Sequence, residues 1–234
     1  IIKKLNLKPG QRVLDIGCGW GGMAFEIAKQ SQCEVVGISL SENQINYCKN
    51  KAKELNMDNQ VHFKLCDYRS VKDKFDRIVS VGAFEHFGKK FYKTFFKKMK
   101  NLLKDDGICL LHTIGSVDEP GPVQPFIQKY IFPGGVVPSL SDMIVPIEKT
   151  GLILSDCETL IHHYDKTLKA WLDRFMHNKE KAKYMYNKEF VRMWEFYLAS
   201  CSAAFKFRDL VVYQLQLVKN FTAPPSNRRN YIYQ

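Results

Sequence analysis

The sequence lacks any apolar run approaching the roughly 20 residues that a membrane-spanning helix needs, although 45% of its 234 residues are hydrophobic. This absence excludes a chain that crosses a bilayer by a helix of that kind. The sequence also lacks paired cysteines, and no group of His and Cys has the spacing of a zinc site. Its seven cysteines, odd in number and scattered, predict a reduced, cytoplasmic protein, and we expect no metal site.

Acidic side chains are scarce relative to basic ones, with 24 Asp and Glu against 35 Lys and Arg, a net charge of +11. This balance favours an anionic partner, either nucleic acid or an acidic membrane surface. A solvated surface with a basic bias would give the same count. The length fits one large domain, or one domain with an insertion. The chain opens on Ile-Ile-Lys-Lys without a signal-peptide pattern, which leaves room for a natural N-terminus further upstream.

One glycine-rich stretch organises the rest of the chain. Residues 13–22 read Val-Leu-Asp-Ile-Gly-Cys-Gly-Trp-Gly-Gly and lead into a predicted helix over residues 23–31. A buried strand, a tight glycine turn and a helix N-terminus are typical of this pattern. Gly17, Gly19 and Gly21 would let a ligand approach the main chain, and the helix N-terminus offers N–H groups to an anion. A purely structural turn is the alternative.

Predicted strands and helices then alternate along the first half of the chain. The strands cover residues 12–16, 34–39, 61–65, 75–81 and 108–113, and the helices cover 23–31, 42–55 and 89–104. Such alternation predicts a parallel sheet with helices on both faces, whose strands end at one shared edge. Polar side chains gather there, and ligands of open α/β sheets bind at this edge. They are Asp15, Ser39, Asp67, Glu85 and His112.

The alternation breaks between residues 116 and 140. This segment begins with proline and acid, continues through an apolar, aromatic run at 126–132 and closes on Pro-Gly-Gly. It is too apolar for a disordered loop, and it is longer than an ordinary connection between secondary-structure elements. We interpret it as a lid over an apolar pocket, with an ordinary peripheral helix as the alternative. Beyond it we predict helices at 141–150, 167–177 and 187–205, strands at 152–154, 159–161 and 210–218, and a loosely ordered tail from residue 222.

Two ligands compete for the glycine turn, a dinucleotide and S-adenosylmethionine. A dinucleotide site prefers G-x-G-x-x-G and an acid about 20 residues further on for the ribose. Here the glycines alternate, and the second strand ends at Ser39 with no acid. Asp15 could meet an ammonium group or fix the turn, while Ser39 and Gln44 could hydrogen-bond a ribose. The pattern favours S-adenosylmethionine.

Five blocks of sequence carry a resemblance to a known family. They are residues 13–22, 75–88, 110–114, 131–135 and 164–168. Together they resemble the cyclopropane-fatty-acyl-phospholipid synthases and the related mycolic acid cyclopropane synthases and methyltransferases, over nearly the whole chain. The resemblance implies a class I methyltransferase (Rossmann-like) α/β fold, with a seven-stranded, mostly parallel sheet whose last strand is antiparallel. It implies one methyltransferase domain over residues 1–234, with the lid insertion at 116–140.

The same resemblance implies a cofactor site for S-adenosylmethionine, in which Tyr68 flanks the adenine and Gln44 serves the ribose. The implied cofactor-binding residues are Asp15, Gly17, Cys18, Gly19, Gly21, Ser39, Gln44, Tyr68 and Arg69.

It also implies a bicarbonate ion beside the substrate, held by Glu85, His112, Tyr164 and the backbone at Val81. The implied catalytic residues are Glu85, His112, Tyr164 and Cys201. A further bicarbonate ligand, a cysteine in a Tyr-Ser-Cys segment, belongs to a part of the family upstream of the glycine turn, and we expect that part to be missing here. Without the resemblance, His112 would be a satisfied core histidine and Glu85 a helix cap. Tyr164 would then be a half-buried aromatic, and Cys201 a small core residue.

The implied reaction is transfer of a methyl group from S-adenosylmethionine to the cis double bond of an unsaturated phospholipid, forming a cyclopropane fatty acid. Alternatives are an N-methyltransferase for a small amine, a C-methyltransferase of lipid chains without ring closure, and a basic binding module without activity. We expect a cytoplasmic protein that is peripheral at the inner membrane face and does not bind nucleic acid; a homodimer is compatible. Lysines of the predicted helix at 89–104 could contact anionic headgroups, or could simply cover a solvated face.

Overall fold

The computed structural model describes residues 1–224 and 229–233. The strands are β1 (Arg12–Ile16), β2 (Glu34–Ser39), β3 (Val61–Leu65), β4 (Phe75–Val81), β5 (Leu103–Ser116), β6 (Ile153–Leu160) and β7 (Leu210–Val218). The helices are α1 (Ile2–Leu5), α2 (Gly22–Ser31), α3 (Glu42–Glu54), α4 (Tyr92–Leu102), α5 (Pro125–Tyr130), α6 (Leu140–Thr150), α7 (His163–His177), α8 (Lys179–Met185), α9 (Lys188–Phe207) and α10 (Asn230–Tyr233). Short 3-10 turns cover Tyr68–Ser70, Phe84–His86 and Lys89–Phe91.

The strands form one seven-stranded sheet in the order β3-β2-β1-β4-β5-β7-β6. Neighbours from β3 to β5 run parallel, whereas β7 is antiparallel to both β5 and β6. The predicted class I methyltransferase fold, with its antiparallel last strand in sequence, is confirmed. The strands β1, β2, β3 and β4 end together at one edge, here called the carboxyl edge, which also receives the middle of β5.

Hydrophobic residues cover both faces of the sheet because successive side chains of a strand point to opposite sides. Val13 packs with α2 and α3 on one face, and Leu14 packs with α4 and α6 on the other. A third cluster lies where α7 and α9 cover β7, and it includes Leu168, Tyr197 and Phe205. No helix within residues 1–224 and 229–233 is long and apolar enough to cross a membrane.

The predicted helix over 89–104 is wrong at both ends. Lys89–Phe91 forms a 3-10 turn after Gly88, whose φ is +75°, and Phe91 is exposed. At the other end Leu103 already belongs to β5. Residues 105–107 lie within that strand, where its pairing with β4 is irregular.

Three further predictions change in extent. The two short strands predicted at 152–154 and 159–161 are one strand, β6, because β7 pairs with it along its length across an irregularity after Leu154. The helix predicted from residue 167 begins at His163. The helices α1 and α8 had no counterpart among the predictions, and both are short. Of the predicted loose tail, residues 225–228 and 234 lie outside the described residues, and Asn230–Tyr233 is helical.

Candidate functional site

The glycine turn follows β1 at the carboxyl edge. The amides of Gly17 and Cys18 both donate to the carbonyl of Ile38, at 2.9 and 3.0 Å, which fixes the turn against β2. Gly17 has a φ of +75°, and a Cβ there would lie 2.5 Å from the Cβ of Ala83. Gly19 also has positive φ, but a Cβ there would meet nothing within 4 Å. The turn therefore leaves open space at Gly19, where a ligand could approach the backbone.

Asp15 lies beneath this turn, in the middle of the sheet between β2 and β4. Only 1% of its surface is exposed. Among the described residues its Oδ2 atom has no hydrogen-bond partner. Burial raises the pKa of its carboxyl group to about 7. A buried acid without a partner is expensive to ionise, and it fits a site that a cationic group completes.

Ser39 and Gln44 lie together at the end of β2. The Ser39 hydroxyl donates to Oε1 of Gln44 at 2.8 Å and accepts from the amide of Ser41 at 3.1 Å. Ser41 in turn caps α3 by accepting from the amide of Gln44. The structure therefore brings this predicted pair to the carboxyl edge beside the glycine turn. Cys18, by contrast, is buried in the core cluster with residues of α2 and α3.

Tyr68 and Arg69 follow β3 in a short 3-10 turn. The half-buried Tyr68 ring packs on Phe87, with ring centroids 5.1 Å apart. Arg69 forms an ion pair with Asp67, with 2.6 Å between Nη2 and Oδ2, and this hydrogen bond lowers the pKa of the Asp67 carboxyl. The structure thus presents Tyr68 as an anchored aromatic face at the carboxyl edge. Asp67 is occupied in orienting Arg69.

Glu85 lies above β5 in the turn that follows β4. Its Oε1 atom accepts from the amide of Ile114 at 2.7 Å, and its own carbonyl accepts from the amide of Val136 at 2.8 Å. Its Oε2 atom is buried and has no hydrogen-bond partner among the described residues. Burial raises the pKa of the Glu85 carboxyl. One oxygen is therefore fixed to the sheet, while the other can accept from a donor outside the described residues.

His112 lies in β5 beside Val81, its partner in the register between β4 and β5. The Nε2 atom of Gln214, on the adjacent strand β7, is 3.1 Å from Nδ1 of His112. Burial lowers the pKa of the His112 imidazole to about 4. The ring is therefore neutral near pH 7. With the Gln214 amide donating to Nδ1, the proton of the imidazole is on Nε2, which becomes a donor.

Tyr164 lies on α7 and Cys201 on α9, the two helices that cover β7. The Tyr164 ring packs on Phe205, with centroids 5.1 Å apart. Burial raises the pKa of the Tyr164 hydroxyl, and the nearby charge of Glu85 raises it further. Burial also raises the pKa of Cys201 to about 11, so that the side chain is a neutral thiol rather than a nucleophilic thiolate. Glu85, Tyr164 and Cys201 thus form one neighbourhood, and Ile114 joins Glu85 to the strand that carries His112.

Sequence reasoning did not single out Gln214 or the aromatic residues of α9. Gln214 and Gln216 are buried polar residues in a strand that is otherwise apolar or aromatic, and polar residues at such positions were a usable signal. The aromatic residues Phe190, Trp194 and Tyr197 contact each other in sequence along α9. Their spacing of four and three residues places them on one helix face and was also readable.

Known proteins match this chain over most of its length. The family model for mycolic acid cyclopropane synthetase matches residues 1–215. The cyclopropane-fatty-acyl-phospholipid synthase of Escherichia coli (strain K12) is 43% identical over 215 residues, which are 92% of this chain and 55% of that protein. The chain therefore spans about half the length of this curated relative.

Two solved structures share the fold closely. The cyclopropane synthase MmaA2 from Mycobacterium tuberculosis is 33% identical with a TM-score of 0.85, and the match covers 92% of this chain and 80% of that one. The mycolic acid cyclopropane synthase CmaA1, complexed with SAH and CTAB, is 33% identical with a TM-score of 0.84 over the same shares.

Proposed function

Because the chain belongs to the mycolic acid cyclopropane synthetase family, we propose that it converts the cis double bond of an unsaturated phospholipid acyl chain into a cyclopropane ring. The methyl donor would be S-adenosylmethionine, in keeping with the similarity to the E. coli synthase and to a synthase complexed with SAH. The observation that carries the proposal is the buried Oε2 atom of Glu85, which has no partner among the described residues and lies in the neighbourhood of Tyr164 and Cys201.

The residues at the glycine turn fit the proposed donor. The unpaired oxygen of Asp15 would accept from its ammonium group, and the open space at Gly19 would admit its amino-acid end. Ser39 and Gln44 would hydrogen-bond its ribose, and the anchored Tyr68 ring would flank its adenine. When bound, the donor supplies an electrophilic methyl group on a sulfonium. The chain contributes alignment, because an alkene is a poor nucleophile and most of the rate enhancement must come from positioning.

The second group of residues fits a small oxyanion such as bicarbonate. The Oε2 atom of Glu85 would accept from its hydroxyl group, while Nε2 of His112 and the hydroxyl of Tyr164 would donate to its oxygens. The backbone at Val81, adjacent to His112 in the register, would complete the set. When bound, bicarbonate supplies the base that ring closure requires. Glu85, His112 and Tyr164 would orient it rather than take the proton themselves.

The surroundings of this site suit a reaction that water would divert. Methyl addition to an alkene leaves a positive charge on carbon, which water would trap as an alcohol. Tyr164, Tyr197 and Phe205 surround Cys201 with aromatic surface, and an aromatic face stabilises a nearby cation by roughly 0.5–2 kcal/mol. The neutral Cys201 thiol would contribute to this dry lining as a small apolar group. The lid role of residues 116–140 stays a prediction, supported by the contact of Phe126 with Phe196 on α9.

The test is direct product analysis. The chain would be incubated with S-adenosylmethionine carrying a labelled methyl group, bicarbonate and vesicles of oleoyl phospholipids, and the released fatty acids separated by gas chromatography and mass spectrometry. We expect label in a cyclopropane fatty acid. Label in a branched acid that keeps its double bond would indicate methylation without ring closure, and label confined to an added amine would contradict the lipid substrate.

A further inference from the structure

One corner of the molecule exposes a group of large side chains outside the site described above. The α8–α9 corner comprises residues 178–192, in which α8 ends and α9 begins. Its tip is Tyr184, Met185 and Tyr186, three consecutive residues that are 90%, 61% and 61% exposed. Single exposed apolar residues are common on protein surfaces, but a contiguous group of this size marks an interaction site.

The α8–α9 corner is also strongly basic. It carries five basic residues and two acidic ones, a net charge of +3 over 15 residues. The basic residues are Lys179, Lys181, Lys183, Lys188 and Arg192. Among the described residues, the ion pair that involves this corner joins Lys183 to Glu180 at 3.6 Å. The remaining cationic side chains are exposed to solvent around the apolar tip.

The lysine-rich region around α4 offers a weaker anionic surface, because the protein itself engages several of its cations. Lys89 pairs with Asp142 at 2.8 Å, and Lys104 pairs with Asp76 at 2.9 Å. Lys100 donates to the carbonyl of Thr150 at 2.9 Å. This region also lacks exposed aromatic residues beyond Phe91. Charge and apolar surface therefore coincide at the α8–α9 corner rather than along α4.

An aromatic path connects the tip of the corner to the candidate site. Tyr186 stacks on Phe190 with ring centroids 4.2 Å apart, and Phe190 stacks on Trp194 at 5.7 Å. Trp194 contacts Tyr197 at 5.2 Å. Tyr197 is only 6% exposed, and it belongs to the same apolar cluster as Tyr164 and Cys201. The path runs from solvent to the buried neighbourhood of Glu85 on one face of α9.

We propose that the α8–α9 corner is the surface by which this protein docks on an anionic phospholipid bilayer. Tyr184, Met185 and Tyr186 enter the headgroup layer, where tyrosine rings are favoured because one end is apolar and the other polar. The surrounding lysines contact lipid phosphates. The inference rests on the proposed function, since a phospholipid substrate requires contact with a bilayer. It also explains why the exposed tip is continuous with the aromatic face of α9.

The test is co-sedimentation with vesicles in the absence of any methyl donor. The vesicles would contain phosphatidylcholine with about one third phosphatidylglycerol, an anionic composition that draws basic surfaces by charge. One variant combines Tyr184→Ser, Met185→Ser and Tyr186→Ser, and its control combines Phe207→Ser and Phe221→Ser, which are exposed elsewhere. All these positions are exposed, so the variants are expected to fold, and the midpoint of thermal unfolding would verify this.

A second pair of variants tests the charge. One variant combines Lys179→Gln, Lys181→Gln and Lys188→Gln. Its control has the same loss of charge and combines Lys90→Gln, in the turn before α4, with Lys93→Gln and Lys97→Gln on the exposed side of α4. We expect the corner variant to bind anionic vesicles roughly 100-fold more weakly, from a loss of about fivefold for each of the three lysines. The α4 control is expected to stay within a few-fold of the wild type, apart from the general effect of net charge.

The results separate this inference from the proposed function. Equal losses in the corner and α4 variants, or none in either, would overturn the docking surface. If light scattering shows a wild-type dimer that the corner variants dissociate, the occupant is a second copy and the bilayer proposal is wrong. If the protein forms cyclopropane fatty acid from detergent-dispersed lipid but the corner variants bind vesicles as the wild type does, the proposed function is retained and the docking surface is rejected. If vesicle binding depends on the corner but no lipid product forms, the docking surface is retained and the proposed function is rejected.

Discussion

Replacement of Asp15 by Asn tests whether the glycine turn is built around a cationic ligand. The carboxyl group is buried and its Oδ2 atom has no partner among the described residues, and burial raises its pKa from the usual 3.8 to about 7. A pKa raised in the folded state means that the native protein holds this proton more tightly than the unfolded chain. Stability is therefore lost as the pH rises from about 4 through about 7, because the carboxyl must then be ionised where water cannot reach it.

The magnitude follows from that difference. At 1.36 kcal/mol for each pH unit between the two pKa values, ionised Asp15 destabilises the fold by about 4 kcal/mol above pH 7. Local relaxation around the ionised group reduces this penalty. Asp15→Asn keeps the shape and one acceptor oxygen but does not titrate. We expect the variant and the wild type to have similar free energies of unfolding near pH 4, and the variant to be more stable by several kcal/mol near pH 8.

Urea unfolding at pH values between 4 and 8 would measure this difference, with every other titrating group common to both proteins. S-Adenosylmethionine supplies the complementary readout: it should raise the unfolding midpoint of the wild type strongly and that of Asp15→Asn much less. Parallel stability profiles for the two proteins across the pH range would refute the reasoning. So would an equal stabilisation of both by the methyl donor.

Three further predictions concern neighbouring positions. Gln214→Leu removes the group that fixes the proton of His112 on Nε2, and we expect kcat to fall by about 10- to 100-fold with an unchanged Kd for the donor; an unchanged kcat would contradict this positioning role. Gly17→Ala places a Cβ 2.5 Å from the Cβ of Ala83, and we expect urea unfolding to show a larger loss of stability than for Gly10→Ala, where φ is also positive but the space is open. Equal losses for the two variants would mean that the backbone strain of positive φ, and not the clash, sets the cost. Cys201→Ser should retain kcat within about tenfold, because burial keeps the thiol neutral, whereas complete inactivation would make Cys201 a reacting group.

The predictable part of the fold is the part determined by local sequence. The strands β1, β2, β3, β4 and β7 have the predicted bounds, because each is a run of apolar and β-branched residues bounded by turns. The helix at 89–104 was overextended because its lysines and phenylalanines keep a helical period. In the structure, Gly88 and the 3-10 turn after it delay the start of the helix. The helix ends before Leu103 because Leu103 pairs with Phe75, a contact that only the folded sheet provides.

The candidate site divides in the same way. Part of the site could be predicted from the sequence, because its residues lie at the ends of predicted strands. This part comprises the glycine turn, Asp15, Ser39 and Gln44. The contact between His112 and Gln214 could not be predicted, since 102 residues separate the two and the register of β5 with β7 brings them together. The unpaired oxygen of Glu85 likewise depends on the amide of Ile114 binding the other oxygen. The roles assigned to Glu85, His112, Tyr164 and Cys201 stay predictions until variants are assayed.

The most direct measurement of the central claim compares the wild type with His112→Ala in product analysis with labelled methyl donor and unsaturated phospholipid. If the residues around His112 orient the base for ring closure, the wild type will form a labelled cyclopropane fatty acid. His112→Ala will then bind S-adenosylmethionine with an unchanged Kd, measured by calorimetry, and form no ring. Ring formation by His112→Ala at the rate of the wild type would contradict the account.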